Sequence, residues 1–164
     1  ESYDLRRMVQ FLSEVKAGED KIEAPVYSHL TYDIVPDQWQ SVRQPDVLIF
    51  EGLNVLQTSG ASSTVVSDFF DFSIYLDADP ADIEAWYIQR FLLLQKTAFQ
   101  KPTSYFHHYK DLSEAEARRV ASGIWHDINL PNLQENIQPT RNRADVVLRK
   151  QSDHSVGEVW LRQT

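Results

Sequence analysis

The spacing of apolar and polar residues predicts an alternation of helices and strands. Residues 3–16 carry a helical pattern that Ser2 is placed to cap. Gly18 and the charged stretch EDKIE break that pattern and lead into APVYSHLTYDIV, which is rich in strand formers, bounded by Pro25 and Pro36, and predicts a short irregular strand region. In DVLIFEG, residues 47–50 form a continuous apolar run, the pattern of a central parallel strand covered on both faces. QTSGASSTVVSD is small and polar enough to predict a mobile loop, and DFSIYLDA behind it alternates, with Ile74 and Leu76 on one face and Ser73 and Tyr75 on the other. Asp79, Pro80 and Asp82 then mark the cap and first turn of a helix running to about Gln95. A further helix starts from a cap at Ser113, and NLPNLQENIQP continues it as a short or broken piece between two prolines. ADVVLRK and GEVWLR close the chain as two strands joined by the turn-like SDHS. With no internal repeat, low-complexity tract or linker, residues 1–164 are expected to form one α/β unit.

Composition narrows the partners. A chain of 164 residues that is 42% hydrophobic and 12% aromatic has enough apolar surface for a real core. Its net charge of -8 argues against nucleic acid, because a phosphate-backbone binder needs a basic face to displace counterions. The chain has no cysteine, which removes thiol catalysis and cysteine-ligated zinc and suits a reducing compartment. No apolar run is long enough to span a bilayer, and the start, ESYDLRRMVQ, lacks the layout of a signal peptide. The expectation is therefore a cytoplasmic protein without a membrane partner. That start also has no preceding methionine or lead-in strand, so the chain is expected to begin in mid-domain.

The candidate chemistry concentrates in residues 86–109, where seven aromatic rings and two histidines fall within twenty-four positions. Ile83, Tyr87, Arg90, Phe91 and Leu94 share one helical face, which is either ordinary core or the wall of a pocket. Arg90 either extends its head to water above a buried stem or meets a carboxylate or phosphoryl oxygen with its planar guanidinium. If VYSHLTYD is extended, Tyr27, His29 and Thr31 share one face while Ser28, Leu30 and Tyr32 face the other way. His29 is then either a hydrogen-bonded structural residue or a candidate for proton chemistry. His107 and His108 are adjacent and lack a second ligand at helical or strand spacing, which argues against a metal site there. Glu51 stands at the predicted carboxyl end of a parallel strand, a position from which nucleotide enzymes hold magnesium directly or through water. None of the five glycines belongs to G-x-x-x-x-G-K-[ST], and neither G-x-S-x-G nor H-E-x-x-H occurs.

APVYSHLTYD, LIFEGLNVLQ, DFSIYLDA, WYIQRFL, SYFHHY and NIQPTRNRA together resemble, in order and spacing, the bacterial type I pantothenate kinases, relatives of uridine kinase and phosphoribulokinase among the P-loop kinases. The resemblance runs along nearly the whole chain and corresponds to the C-terminal portion of a typical member. It implies part of a P-loop kinase fold, with a mainly parallel sheet flanked by helices and with the P-loop portion and the general base upstream of Glu1. It also implies transfer of phosphate from ATP, with Mg2+, to pantothenate at the first step of coenzyme A biosynthesis. A homodimer inhibited by coenzyme A or its thioesters goes with it.

Residue by residue, the resemblance assigns pantothenate contacts to Tyr27, His29, Tyr87, Arg90 and Asn129, and an aromatic wall for pantothenate or the inhibitor's pantetheine arm to Phe91, Phe99, Tyr105 and Phe106. Arg90 is also the expected catalytic residue, His154 the residue packed on the nucleotide base, and Glu51 the expected metal ligand. The chain departs from the pattern at Leu94, where some members carry phenylalanine, at Gln138, and in the short loop 58–64. Two rival expectations are a related kinase acting on a nucleoside or sugar phosphate, and a non-catalytic module that binds acyl-coenzyme A.

Overall fold

A computed structural model describes residues 4–58 and 64–162. Helix α1 (Leu5–Ala17) begins later than the apolar pattern predicts. Asp4, not Ser2, caps it by accepting the Arg7 N–H at 3.0 Å, and Gly18 ends it in the left-handed conformation at φ 73°. Residues 1–3, and with them the predicted cap, lie outside the described residues.

Strands β1 (Ile22–Ser28) and β2 (Asp33–Val42) form an antiparallel hairpin where the sequence predicts one irregular strand region. Pro25 and Pro36 sit inside its strands instead of bounding a segment, which a two-stranded ribbon tolerates because each strand has an unpaired edge. The extended reading of VYSHLTYD is corrected: residues 29–32 are a four-residue turn, closed by the Tyr32 N–H donating to Ser28 O at 2.8 Å.

The predicted central strand in DVLIFEG is also corrected. Residues 47–50 are not a strand, and Val47 and Ile49 are 79% and 85% exposed. An apolar run signals that a segment is to be buried, but a strand exists only where ladder partners are at hand. No described residue pairs with this run. Part of QTSGASSTVVSD, the predicted mobile loop, lies outside the described residues at 59–63, while Val66–Phe69 forms a 3-10 turn.

Strand β3 (Ile74–Asp77) alternates as predicted, with Tyr75 buried and Ile74 and Leu76 exposed. It pairs in parallel with β4 (Val146–Lys150), which pairs antiparallel with β5 (Val156–Leu161). Ser73 ties the start of β3 to β4, its backbone N–H and hydroxyl donating to Asp145 Oδ2 at 2.9 and 2.7 Å. Only one of the three strand pairs is parallel, so the described architecture is α/β with two small sheets and flanking helices.

Between the parallel strands runs the helical layer that carries the candidate site. Helix α2 (Pro80–Gln95) starts as predicted, with Asp79 Oδ1 accepting the Ala81 N–H at 2.9 Å and Pro80 in the first turn. Helix α3 (Glu114–Ile124) has a full capping box between Ser113 and Glu116. It continues as the broken helix the prolines predict, through π-type turns at Trp125–Asn129 and Leu133–Ile137 and a 3-10 turn at Gln138–Arg143. Ala117 and Ala121 are fully buried, so their small side chains let α3 pack closely on α2 against Phe91, Leu92 and Phe99.

Glu116 accepts the Ser113 hydroxyl and N–H, and these bonds hold its carboxyl below the usual range. A lowered folded value means the cap's contribution is complete above the ordinary glutamate pKa and is lost as pH falls through the lowered one. Ser113→Ala is expected to lower stability by about 1 kcal/mol, read as a shift of the urea midpoint at unchanged slope.

Candidate active site

Helix α2 presents Trp86, Tyr87, Arg90 and Phe91 on successive turns, and each meets a different fate. Phe91 is buried, edge-on to Phe99 at 5.3 Å and tilted against Tyr109 at 5.6 Å. Phe106 packs on Phe99 at 5.3 Å and stands edge-on to Tyr105 at 5.0 Å. The loop that carries these rings is pinned twice. His107 Nδ1 lies 2.9 Å from Phe99 O, and the Tyr105 N–H donates to Leu30 O of the hairpin turn at 3.0 Å.

That second bond brings the hairpin onto the ring cluster. Tyr32, at φ 60° in the turn, stacks on Tyr105 at 5.6 Å, meets Phe106 edge-on at 5.2 Å and reaches Tyr27 at 6.2 Å. His29 stands edge-on to Tyr27 at 5.2 Å. The rings thus run as one continuous set from buried Phe91 and Phe99 out to Tyr27, Tyr32 and Tyr105, which are 46%, 55% and 61% exposed. Core and wall are both present: the inner rings are packing, and the outer ones form an aromatic surface open to solvent.

Tyr87 is half-buried beside this surface, 6.1 Å from the Trp125 ring. Burial raises its phenol above the usual pKa, the nearby Asn129 amide opposes the rise, and the neighbouring Tyr32 and Tyr109 phenols add to it. Asn129 reaches Tyr87 from the π-type turn that follows α3, where the widened backbone re-aims the side chains. The two predicted polar residues, on elements far apart in sequence, are therefore brought near one another.

Arg90 is exposed, and no hydrogen bond or ion pair to it occurs among the described residues. Its guanidinium is available to an incoming anion.

The remaining predicted residues are not gathered here. Glu51 is exposed and follows an unpaired run, not a strand, so its expected strand-end position is not formed. His154 lies in the β4–β5 turn, stacked on Trp86 at 4.3 Å on another side of α2's aromatic surface. Among the described residues no group of three His, Asp or Glu side chains is arranged to hold a metal ion. Two clefts of about 360 and 490 Å³, the first lined by Ser73, Arg143 and Asp145 and the second by Leu5, Asn54 and Val65, include none of the predicted site residues.

Tyr32, Tyr109 and Trp125 join the site without having been singled out. An extended backbone would put Tyr32 on the opposite face; the turn at residues 29–32 brings its ring onto the cluster instead.

The model of the phosphoribulokinase / uridine kinase family matches residues 1–92, which include the hairpin and most of helix α2. The chain belongs to that family. It is similar to the pantothenate kinases of Rhodococcus opacus (strain B4) and Rhodococcus jostii (strain RHA1), each 57% identical over 163 residues that make up 99% of this chain and 52% of the relative. The pantothenate kinase of Brucella ovis is 55% identical over 168 residues, again 99% of this chain and 52% of the relative. The chain thus spans about half the length of these curated relatives. No helix among the described residues is long and apolar enough to cross a membrane.

Proposed function

We propose that the full-length protein transfers phosphate from ATP to pantothenate, and that residues 1–164 are the C-terminal portion of the kinase domain, contributing most of the acceptor surface. The observation that carries this reading is the continuous ring surface from buried Phe91 and Phe99 out to exposed Tyr27, Tyr32 and Tyr105, with the polar tips of Tyr87 and Asn129 close to one another. Pantothenate has a carboxylate at one end, hydroxyls at the other and a gem-dimethyl group between. Its recognition needs polar groups at the tips and ring surface in the middle. Tyr87, Asn129 and His29 supply the polar contacts. Tyr27, Tyr105 and Phe106 supply the surface, with Phe91 and Phe99 fixing it from beneath. The same wall suits the pantetheine arm of coenzyme A or a thioester acting as feedback inhibitor.

Arg90 is the catalytic residue of this portion, giving a planar fork of donors to the phosphoryl oxygens as charge spreads over them. His154 packs on the nucleotide base. Magnesium would enter with the nucleotide, and Glu51, exposed and standing alone among the described residues, is the carboxylate this chain would offer it. The P-loop and the general base lie in the portion of the protein outside this chain, which also completes a mainly parallel P-loop kinase sheet and covers the apolar run at residues 47–50. The working form is a cytoplasmic homodimer.

The test is an ATP-dependent phosphorylation assay on the full-length protein with pantothenate, uridine and ribulose 5-phosphate as competing acceptors. Turnover of pantothenate alone is expected; turnover of either rival without pantothenate overturns the acceptor assignment. Tyr87→Phe, which keeps the ring and removes the hydroxyl, is expected to raise KM for pantothenate about tenfold, as for loss of one buried polar contact, with KM for ATP unchanged.

A further inference from the structure

Trp86 points away from the acceptor rings and is engaged by the β4–β5 turn. Its indole N–H donates to Ser152 O at 3.0 Å, and its ring lies nearly parallel to that of His154, with centroids 4.3 Å apart and an angle of 26°. Lys150 completes the group, its ammonium 4.7 Å from the Trp86 ring and donating to His154 Nδ1 at 3.1 Å. The turn is built to bring the histidine back onto the indole. His154 adopts φ 68°, a left-handed conformation that a residue with a β-carbon enters at a cost. It is held there by its N–H donating to Gln151 O at 2.9 Å and by Asp153 accepting both the N–H and the hydroxyl of Ser155. On α2, Trp86 and Arg90 are four residues apart, so they share a face about 6 Å apart along the axis.

We propose that Trp86 is a positioning residue for the nucleotide: it backs the His154 ring so that its outer face takes the purine base, and it registers that base against Arg90 one helical turn away. The proposal rests on the assignment of His154 to the nucleotide base made above. An imidazole on an exposed turn is a poor platform if it rotates freely. A second ring behind it, fixed at both its face and its N–H, removes that freedom before the ligand arrives, so less is lost on binding. Trp86 does not touch the base in this arrangement and acts only through His154.

The test is a double-mutant cycle in the full-length protein, with the dissociation constant of a non-hydrolysable ATP analogue measured by calorimetry and both KM values measured by assay. Trp86→Ala and His154→Ala are each expected to weaken the analogue and raise KM for ATP by about five- to tenfold, with KM for pantothenate within twofold. The double variant is expected to be no weaker than either single variant, because the two rings act as one unit. Trp86→Phe, which retains a stacking ring, is expected to recover most of the loss. Multiplicative losses in the double variant, equal rises in both KM values, or a failure of phenylalanine to rescue each overturns the positioning role. Unchanged analogue binding in His154→Ala overturns it together with the nucleotide assignment. Failure to phosphorylate pantothenate removes only the acceptor assignment, since the cycle is still read in nucleotide affinity.

Discussion

Arg90→Ala in the full-length protein is expected to lower kcat for pantothenate phosphorylation by at least about a hundredfold, equivalent to about 2.7 kcal/mol of barrier, with KM for pantothenate changed less than threefold. The expectation follows from where the side chain stands. It projects from an aromatic helix face, is exposed, and has no ion pair or hydrogen bond among the described residues, so no structural duty competes with a catalytic one. Arginines that meet the transferred phosphoryl group in related chemistry are worth roughly 10³–10⁵ in rate. Arg90→Lys is expected to restore little, because a compact ammonium cannot reproduce the planar fork of donors. The same lack of partners predicts a nearly unchanged urea midpoint for Arg90→Ala. A loss of activity below tenfold, or one that tracks a loss of stability, would take Arg90 off the catalytic surface.

Phe99→Ala is expected to have the opposite signature, a loss of about 3–5 kcal/mol of stability, as for truncation of a large buried ring. Phe99 is buried beneath the outer rings and contacts Phe91, Phe106 and Tyr109, while its backbone carbonyl holds His107. Removing the ring opens a cavity under the loop that also anchors the hairpin through Tyr105 and Leu30. Denaturant unfolding of the full-length protein reads the stability. Calorimetry then reads how far pantothenate affinity falls with the loosening of Tyr32 and Tyr105. A stability change under about 1 kcal/mol would show that the cluster is a surface arrangement and not a packed layer.

Helix α2 was legible almost to the residue, because Asp79, Pro80 and Asp82 act within one turn of themselves. The closing β4–β5 hairpin and the broken helix after Ser113 were legible for the same reason. Residues 47–50 were not. Their apolar run records a demand for cover, and whether the cover is met depends on partners that no local pattern names. Tyr32 was assigned to the wrong face because two strands and a turn, not one strand, occupy that segment, and reversing the chain brings its ring back beside Tyr27.

By itself, the amino-acid order determined the caps at Asp79 and Ser113, the extent of α2 and the alternation along β3, since these depend on neighbours a few positions away. Only the tertiary structure decided that Asn129 comes near Tyr87, that Tyr105 draws the hairpin onto the rings, that His154 lies on Trp86 and that Arg90 has no hydrogen bond or ion pair among the described residues. Those contacts join residues tens of positions apart, and their energies come from burial and packing, which exist only once the chain has closed on itself.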